Sequence, residues 1–208
     1  MIVKICGITQ PQQAKEISQL GANYLGTIFY PKSPRYVDLD KIIEIKQSLN
    51  ESTKLVVVVV NQDEKTVEEL LYIADIIQFH GDEDYSFIKN FPKDRVIKVF
   101  RLKEESQIKQ MEEYMKDDYC LLLDTYKEGM YGGTGETIDI QLLKKVLKLY
   151  DKIIVSGGLG LDNIKEVLSQ IKPYGVDASS KLEIKPGIKD ISKVKQFIEI
   201  VKSYEPNN

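Results

Sequence analysis

The chain is predicted to be an α/β protein, a single (β/α)8 TIM barrel of parallel strands. Three observations support this fold. Short runs of β-branched residues alternate eight times with longer helical patterns along 208 residues. The run Leu55–Val60 is apolar at every position, which is typical of a strand buried on both faces. Polar and glycine-containing loops follow the strands, whereas the strand bodies are apolar.

Each strand is predicted at a short apolar run that ends before such a loop. These runs are Ile2–Cys6, Tyr24–Phe29, Leu55–Val60, Ile76–Phe79, Val96–Phe100, Tyr119–Leu123, Ile153–Val155 and Val176–Ala178. Helices are predicted between them, at Pro11–Leu20, Leu39–Leu49, Asp63–Ile73, Asp82–Asn90, Glu104–Met115, Asp139–Tyr150, Asp162–Ile171 and Asp190–Tyr204. Gly21 stops the first helix, and Asp63 is a candidate cap of the third.

An open, doubly wound sheet is the alternative architecture. It usually has fewer strands and a Gly-rich turn after the first one, and Cys6–Thr9 (CGIT) is not such a turn. The length suits one domain, residues 1–208, although about 200 residues is the small end for a (β/α)8 barrel.

Composition excludes several classes of function. The net charge of −3 argues against a general nucleic-acid or membrane-surface binder, because such proteins show a basic footprint. One His and two Cys are too few for a structural zinc site, so no metal is expected. The longest apolar run, Leu55–Val60, is far shorter than the roughly 20 residues of a membrane span. The N-terminus does not read as a signal peptide, and a cytoplasmic location is expected.

The active face of such a barrel lies at the carboxyl ends of its strands. Cys6 ends the first strand and Asp124 the sixth. Lys4 and Cys6 share one face of their strand, which we expect to line the interior, because neither residue suits a helix-facing position. Cys6 is then either a reactive thiol or a small buried hydrophobe, and Asp124 either a proton-transfer group or a cap of backbone groups. Cys120 is expected in the core.

Two loops predict a phosphate site. Gly157 and Gly158 follow the seventh strand, and Ser179 and Ser180 follow the eighth, where barrels commonly bind phosphate through backbone N–H groups. The alternative is a pair of tight turns. The segment Gly132–Gly135 is a weaker signal for a mobile lid hinge.

Two further polar residues are candidates. Arg35 follows the second strand and suits bidentate binding of a planar carboxylate, unless it is a plain surface charge. His80 follows the fourth strand and could be a site residue or a structural hydrogen-bonding group.

At these residues the sequence resembles the phosphoribosylanthranilate isomerase family of tryptophan biosynthesis. The resemblance implies an Amadori rearrangement of N-(5-phosphoribosyl)anthranilate, with no cofactor and no metal. The matching segments are KICGIT (Lys4–Thr9), PKSPRYV (Pro31–Val37), QFHGDE (Gln78–Glu83), LLLDT (Leu121–Thr125), GGTG (Gly132–Gly135), SGGL (Ser156–Leu159), DN (Asp162–Asn163), GVDASS (Gly175–Ser180) with Glu183, and PGIKD (Pro186–Asp190).

The resemblance also implies roles for individual residues. Asp124 would be the general acid at the sugar ring oxygen, and Cys6 the general base at sugar C2. An acid role needs a raised aspartate pKa, and a base role needs some thiolate, which Lys4 would favour. Arg35 would hold the anthranilate carboxylate. The residues expected to hold phosphate are Gly157, Gly158, Ser179 and Ser180, and those expected to line the pocket are His80 and Asp177. The partner would be a phosphosugar, and the protein a monomer or homodimer.

The sequence departs from the family pattern at two places. Lys181 and Leu182 stand where Gly and Val usually follow the serine pair, and Glu136 stands where a basic residue is common. Lys181 would either contact phosphate or point to solvent.

Other functions compete with this one. A ribulose-phosphate epimerase would need paired Asp and metal-binding His residues, which one His cannot supply. An indole-glycerol-phosphate synthase would need a Lys-rich catalytic set with Glu at strand ends. A non-catalytic phosphometabolite-binding barrel would not need both Cys6 and Asp124.

Overall fold

The computed structural model describes residues 1–125 and 140–204, and these form a closed barrel of eight parallel strands. The strands are β1 (Ile2–Cys6), β2 (Tyr24–Phe29), β3 (Lys54–Val59), β4 (Ile76–Phe79), β5 (Val96–Leu102), β6 (Cys120–Thr125), β7 (Ile153–Val155) and β8 (Gly175–Ala178). Neighbours in the barrel are neighbours in the chain, and β1 pairs with β8 to close it. The predicted (β/α)8 barrel is confirmed.

The ladders between strands differ in length around the barrel. The β7–β8 ladder has two register pairs, Ile154 with Gly175 and Val155 with Val176, whereas the β5–β6 ladder has six. The short ladder lies directly below the loops that follow β7 and β8.

Helices follow the strands on the outside. They are α1 (Pro11–Gln19), α2 (Leu39–Ser48), α3 (Glu64–Leu71), α4 (Tyr85–Ile88), α5 (Glu112–Lys116), α6 (Ile140–Leu149), α7 (Ile164–Gln170) and α8 (Ile191–Ser203). Asp38, Asp63, Asp84 and Asp190 precede α2, α3, α4 and α8, and each side chain accepts the N–H three residues on. Such caps satisfy otherwise unpaired donors of a first turn, and the predicted cap at Asp63 is confirmed.

Two predicted helices differ from those observed. The helix predicted at Asp82–Asn90 is reduced to α4, because Asp82 and Glu83 are engaged by the loop after β3. Asn61 Oδ1 accepts the Asp82 N–H at 2.8 Å, and Glu83 Oε1 accepts the Asn61 N–H at 2.7 Å. In place of the first part of Glu104–Met115, Glu105–Met111 winds as a 3-10 helix before α5.

A hairpin between β8 and α8 was not predicted. It follows a 3-10 turn at Ser180–Leu182, and its antiparallel strands are β9 (Glu183–Lys185) and β10 (Ile188–Lys189). Gly187 makes its turn with φ +82°, a left-handed conformation that favours glycine.

The barrel encloses an apolar layer that is separate from the core between strands and helices. The inner layer consists of Val56, Ile76, Ile97, Val99, Leu122 and Ile154, with Cys120 packed against it. Val3 and Ile5 belong to the outer core. Since side chains alternate along a strand, Lys4 and Cys6 point inward, as predicted. Cys120, expected in the core, is partly buried against the inner layer.

The outer core contains an aromatic cluster that anchors the short α4 helix. Phe79 is fully buried, with ring centroids 6.1 Å from Phe87 and 5.5 Å from Phe91. The Phe79→Ala substitution should lower the free energy of unfolding by about 3–5 kcal/mol, because it removes a buried ring and leaves a cavity. Urea denaturation measures this loss. Phe79→Leu keeps more of the volume and should lose less, and equal losses in the two variants would contradict the packing argument.

Candidate active site

Polar side chains replace the apolar inner layer toward the carboxyl ends of the strands. Three buried groups here are Asp124 at 2% exposure, Asp177 at 5% and Cys6 at 8%. They come from β6, β8 and β1, so the closed barrel brings together residues that are far apart in the sequence. This is the end at which (β/α)8 barrels carry their active sites.

The Cys6 thiol has a defined seat against β2. A Cβ atom on Gly26, the register partner of Cys6, would lie only 2.7 Å from Cys6 Sγ. Burial raises the pKa of this thiol above its ordinary value, while the positive charges of Lys4 and Lys189 oppose the rise. The two ammonium groups therefore favour the thiolate, whereas burial and the Asp177 carboxylate disfavour it.

A buried ion pair lies beside the thiol. Lys4 Nζ is 3.0 Å from Asp177 Oδ2, and Lys4 is fully buried. Burial disfavours the lysine charge, but Asp177 and Cys6 outweigh it, so the pKa of Lys4 is raised and the ammonium stays charged. Burial raises the pKa of Asp177 despite Lys4, and nearby Asp124 adds to the rise. Ser156 Oγ donates to Asp177 Oδ2 at 3.4 Å.

Asp124 faces His80 across the mouth of the barrel. His80 Nε2 lies 3.4 Å from Asp124 Oδ2, and His80 Nδ1 lies 3.3 Å from the amide nitrogen of Gln78. An amide nitrogen can only donate, so His80 Nδ1 is the accepting atom of this contact. The Nε2 edge of the imidazole is thus the edge next to the Asp124 carboxylate.

The loop that carries His80 is held by residues whose role the sequence did not predict. Arg101 Nη2 donates to the His80 carbonyl. Glu83 Oε2 accepts the Gly81 N–H at 3.0 Å, and Lys98 Nζ donates to the Gly81 carbonyl at 3.1 Å. Burial lowers the pKa of Lys98, and Glu83 opposes the shift. Only the segment QFHGDE pointed to part of this network.

Arg35 reaches the site but is already paired. Its Nε and Nη2 donate to the two carboxylate oxygens of Glu183 at 2.8 and 2.6 Å. The side chain passes over Gly7, where a Cβ atom would lie 2.6 Å from Arg35 Cδ and 3.0 Å from Ser179 Oγ. Gly7 also has φ +81°, so this turn favours glycine twice over. Arg35 is therefore a residue of the mouth and not a plain surface charge.

The predicted phosphate residues lie on adjacent loops. Gly157 and Gly158 have left-handed φ values of +96° and +60°. Ser179 follows β8, and its Oγ donates to the Cys6 carbonyl at 2.9 Å. Ser180 begins the 3-10 turn. The two loops therefore stand side by side next to β1, above the short β7–β8 ladder.

Lys181, the departure noted in the sequence, joins these two loops. Its Nζ lies 2.6 Å from Asp162 Oδ2 in the loop after β7. It is thus an ion-pair partner and not a free solvent-facing charge. The predicted hinge Gly132–Gly135 and the departure at Glu136 lie outside the described residues.

Residues 1–125 and 140–204 contain no cluster of three or more His, Cys, Asp or Glu placed to hold a metal ion. Over the same ranges, no helix is long and apolar enough to cross a membrane.

A barrel whose mouth holds a buried thiol, two carboxylates and two glycine- and serine-containing loops belongs to the class of (β/α)8 enzymes that act on small anionic metabolites. The family model described as N-(5'phosphoribosyl)anthranilate (PRA) isomerase matches residues 3–200. The chain belongs to the phosphoribosylanthranilate isomerase family. It is accordingly an aldose–ketose isomerase of tryptophan biosynthesis.

Individual relatives agree with this assignment. The chain is 62% identical to the N-(5'-phosphoribosyl)anthranilate isomerase of Sulfurihydrogenibium sp. (strain YO3AOP1), over 98% of this chain and 100% of that one. The crystal structure of the Thermotoga maritima enzyme superposes with a TM-score of 0.89 at 32% identity, over 98% and 100% of the two chains. A crystal structure of a phosphoribosylanthranilate isomerase in complex with reduced 1-(o-carboxyphenylamino)-1-deoxyribulose 5-phosphate superposes with a TM-score of 0.85 at 30% identity, over 98% of this chain and 100% of that one.

The seat of the thiol can be tested at Gly26. Its backbone conformation admits alanine, so the main effect of Gly26→Ala is to displace Cys6 Sγ. We expect kcat to fall about tenfold or more, since small displacements of a reacting group are costly. Steady-state kinetics with thermal unfolding measures this.

A glycine at the opposite end of the barrel provides the control. A Cβ atom on Gly175 would lie 2.7 Å from Ile2 Cβ, so Gly175→Ala should lose stability but keep its rate per folded molecule. If Gly26→Ala keeps the wild-type kcat, the thiol is not seated as described.

Proposed function

We propose that this chain converts N-(5-phosphoribosyl)anthranilate to 1-(2-carboxyphenylamino)-1-deoxyribulose 5-phosphate, with Cys6 as general base and Asp124 as general acid. The observation that carries the assignment is the placement of a thiol and a carboxylate on β1 and β6, both buried at one barrel mouth. Family membership supports the reaction, and the relative's complex with a reduced product analogue supports the substrate class.

The reaction is an isomerisation that gains and loses no atoms, and it needs one protonation and one deprotonation before the final tautomerisation. Asp124 protonates the ring oxygen, the bond from that oxygen to sugar C1 breaks, and the anthranilate nitrogen becomes a protonated imine. Cys6 then removes the proton from C2, the C–H electrons form a C1–C2 double bond, and the π electrons of the C1–N bond return to nitrogen. The enaminol that results tautomerises to the ketone. His80, whose Nε2 lies 3.4 Å from Asp124 Oδ2, would stabilise the carboxylate that forms when the acid gives up its proton.

The charges around Cys6 suit a base that works as a minor thiolate population. Lys4 and Lys189 both lower the thiol pKa against the effect of burial. Lys4 stays charged because Asp177 pairs with it, so Asp177 acts at the pocket wall by holding this ammonium in place.

Binding of the doubly anionic substrate falls to groups at the rim. Gly157, Gly158, Ser179 and Ser180 would bind the phosphate through backbone N–H groups and hydroxyls. Arg35 would bind the anthranilate carboxylate. Because its Nε and Nη2 bond Glu183, the carboxylate would use the remaining edge of the guanidinium, at Nη1.

The catalytic roles are tested by conservative substitutions. Cys6→Ser and Asp124→Asn should each lower kcat by about 100-fold or more, as loss of a general acid or base does. The decay of phosphoribosylanthranilate fluorescence measures turnover. Cys120→Ser is the matched control, because Cys120 packs on the inner apolar layer and not at the mouth. Near-wild-type rates in both site variants would refute the catalytic roles of Cys6 and Asp124. The reaction itself is tested separately, by turnover of the wild-type protein.

The pH dependence follows from the Cys6 pKa. Because burial raises this pKa, little thiolate exists at neutral pH, and its fraction grows as the pH rises. We therefore expect kcat/KM to increase from about pH 6 to about pH 9. The same rise should appear in the ultraviolet absorbance of the thiolate. Cys120 does not interfere, since burial raises its pKa to about 12. A kcat/KM that is flat over this range would exclude Cys6 as the titrating base.

A further inference from the structure

Glu183, a further carboxylate at the mouth of the barrel, binds two cations. Glu183 Oε1 and Oε2 accept from Arg35 Nε and Nη2, and Lys189 Nζ donates to Glu183 Oε1 at 2.8 Å. The side chains of Lys189, Glu183 and Arg35 are 0%, 4% and 13% exposed. This cluster of Arg35, Glu183 and Lys189 has a net charge of +1 beside the thiol.

Lys189 connects the cluster to the phosphate side of the site. Its Nζ lies 3.2 Å from the Ser179 carbonyl and 3.4 Å from Ser179 Oγ, and that hydroxyl donates to the Cys6 carbonyl. Glu183 therefore bonds the proposed carboxylate clamp, Arg35, directly and reaches the proposed phosphate residue Ser179 through Lys189.

The hairpin that carries Glu183 and Lys189 is fixed to α1 and to the loop after β1. Gln13 bonds the Lys189 backbone in both directions, at 2.8 and 2.9 Å. Thr9 Oγ1 donates to the Gly187 carbonyl at 2.7 Å, and the Gly187 N–H reaches Glu183 Oε1 at 3.2 Å. With three donors on one oxygen, the Glu183 carboxylate cannot follow a moving guanidinium.

We propose that Glu183 is a positioning residue for substrate binding, which fixes the guanidinium of Arg35 and the ammonium of Lys189 in one frame. The inference rests on the proposed function, since it takes Arg35 as the carboxylate clamp. Glu183 does not touch the substrate. It determines which edge of Arg35 is presented and keeps Lys189 against Ser179.

The ionisation of the cluster agrees with this role. Burial raises the pKa of Glu183, but Arg35 and Lys189 outweigh it, so the net shift is downward and the carboxylate is charged at neutral pH. Burial lowers the pKa of Lys189, and Glu183 opposes that shift. Loss of the Glu183 charge would thus loosen Arg35 and weaken the charge on Lys189 together.

Neutralising Glu183 changes substrate affinity in opposite directions for a positioning role and for a competing role. If Glu183 competed with the substrate carboxylate for Arg35, its neutralisation would free the guanidinium and tighten binding. A positioning role predicts weaker binding. The direction of the change in affinity therefore decides between them.

The test measures the affinity of the Glu183→Gln variant for reduced 1-(o-carboxyphenylamino)-1-deoxyribulose 5-phosphate by calorimetry, together with KM and kcat for the substrate. We expect Kd and KM to rise about tenfold, the scale of a lost charge-assisted hydrogen bond, with a smaller change in kcat. Glu183→Asp keeps the charge on a shorter stem and should fall between wild type and Glu183→Gln. It also serves if Glu183→Gln does not fold. An unchanged or lower Kd in a folded variant overturns the proposal.

A double-mutant cycle shows whether Glu183 acts through Arg35. In an Arg35→Met background, Glu183→Gln should add little to the loss of affinity, whereas additive losses would overturn a role through Arg35. Asp75→Asn is the matched control. Asp75 also pairs with a lysine, Lys46, and accepts the Leu55 N–H at 2.7 Å, but near the amino end of β3, so its loss should affect stability and not Kd.

The wild-type protein separates failure of this inference from failure of the proposed function. If wild type neither turns over phosphoribosylanthranilate nor binds the analogue, the proposed function is wrong. If wild type does both and Glu183→Gln matches it, only the positioning role is wrong.

Discussion

The buried ion pair between Lys4 and Asp177 is the constraint around which the rest of the site is arranged. The two residues are register partners across the β1–β8 seam, so the pair lies where the barrel closes. An ammonium and a carboxylate are stable in a barrel interior only when each offsets the other's desolvation. The pair therefore marks the level at which the apolar filling ends and the polar mouth begins. It also places a fixed positive charge beside Cys6, which an apolar layer could not do.

A protein of net charge −3 must concentrate positive charge locally to receive a doubly anionic substrate. Its three arginines show how selectively the guanidinium group is used. Arg95 donates to backbone carbonyls at the C-terminal end of α3, Arg101 holds the His80 carbonyl, and Arg35 is held by Glu183. Each uses the planar fork to fix a geometry, which the single ammonium of a lysine does less well. The sequence left Arg95 and Arg101 without a role because their partners are carbonyl groups, which no side-chain pattern reveals.

The strands and most helices were predictable because their signals are local: apolar runs, helical spacing and Asp caps. The β9–β10 hairpin was missed because its short strands mix charged and apolar residues and show no apolar run. The site residues at strand ends were predictable once the barrel was assumed. Their partners were not, since Arg35 and Glu183 are 148 positions apart and no local rule pairs them. Glu183 appeared in the sequence only as a matching residue of the family resemblance, without a role.

The short ladder between β7 and β8 is the weakest strand pairing in the barrel. With two register pairs, the β7–β8 ladder should open more readily than the six-pair ladder between β5 and β6, and its amides should exchange with solvent sooner. The loops that follow these two strands are those proposed to bind phosphate, and the Lys181–Asp162 pair already joins them. A phosphate bound there would bond both loops and so hold β7 and β8 together. Substrate occupancy would then slow hydrogen exchange in β7 and β8 more than elsewhere. Ligand affinity and barrel rigidity would thus be linked through the β7–β8 ladder.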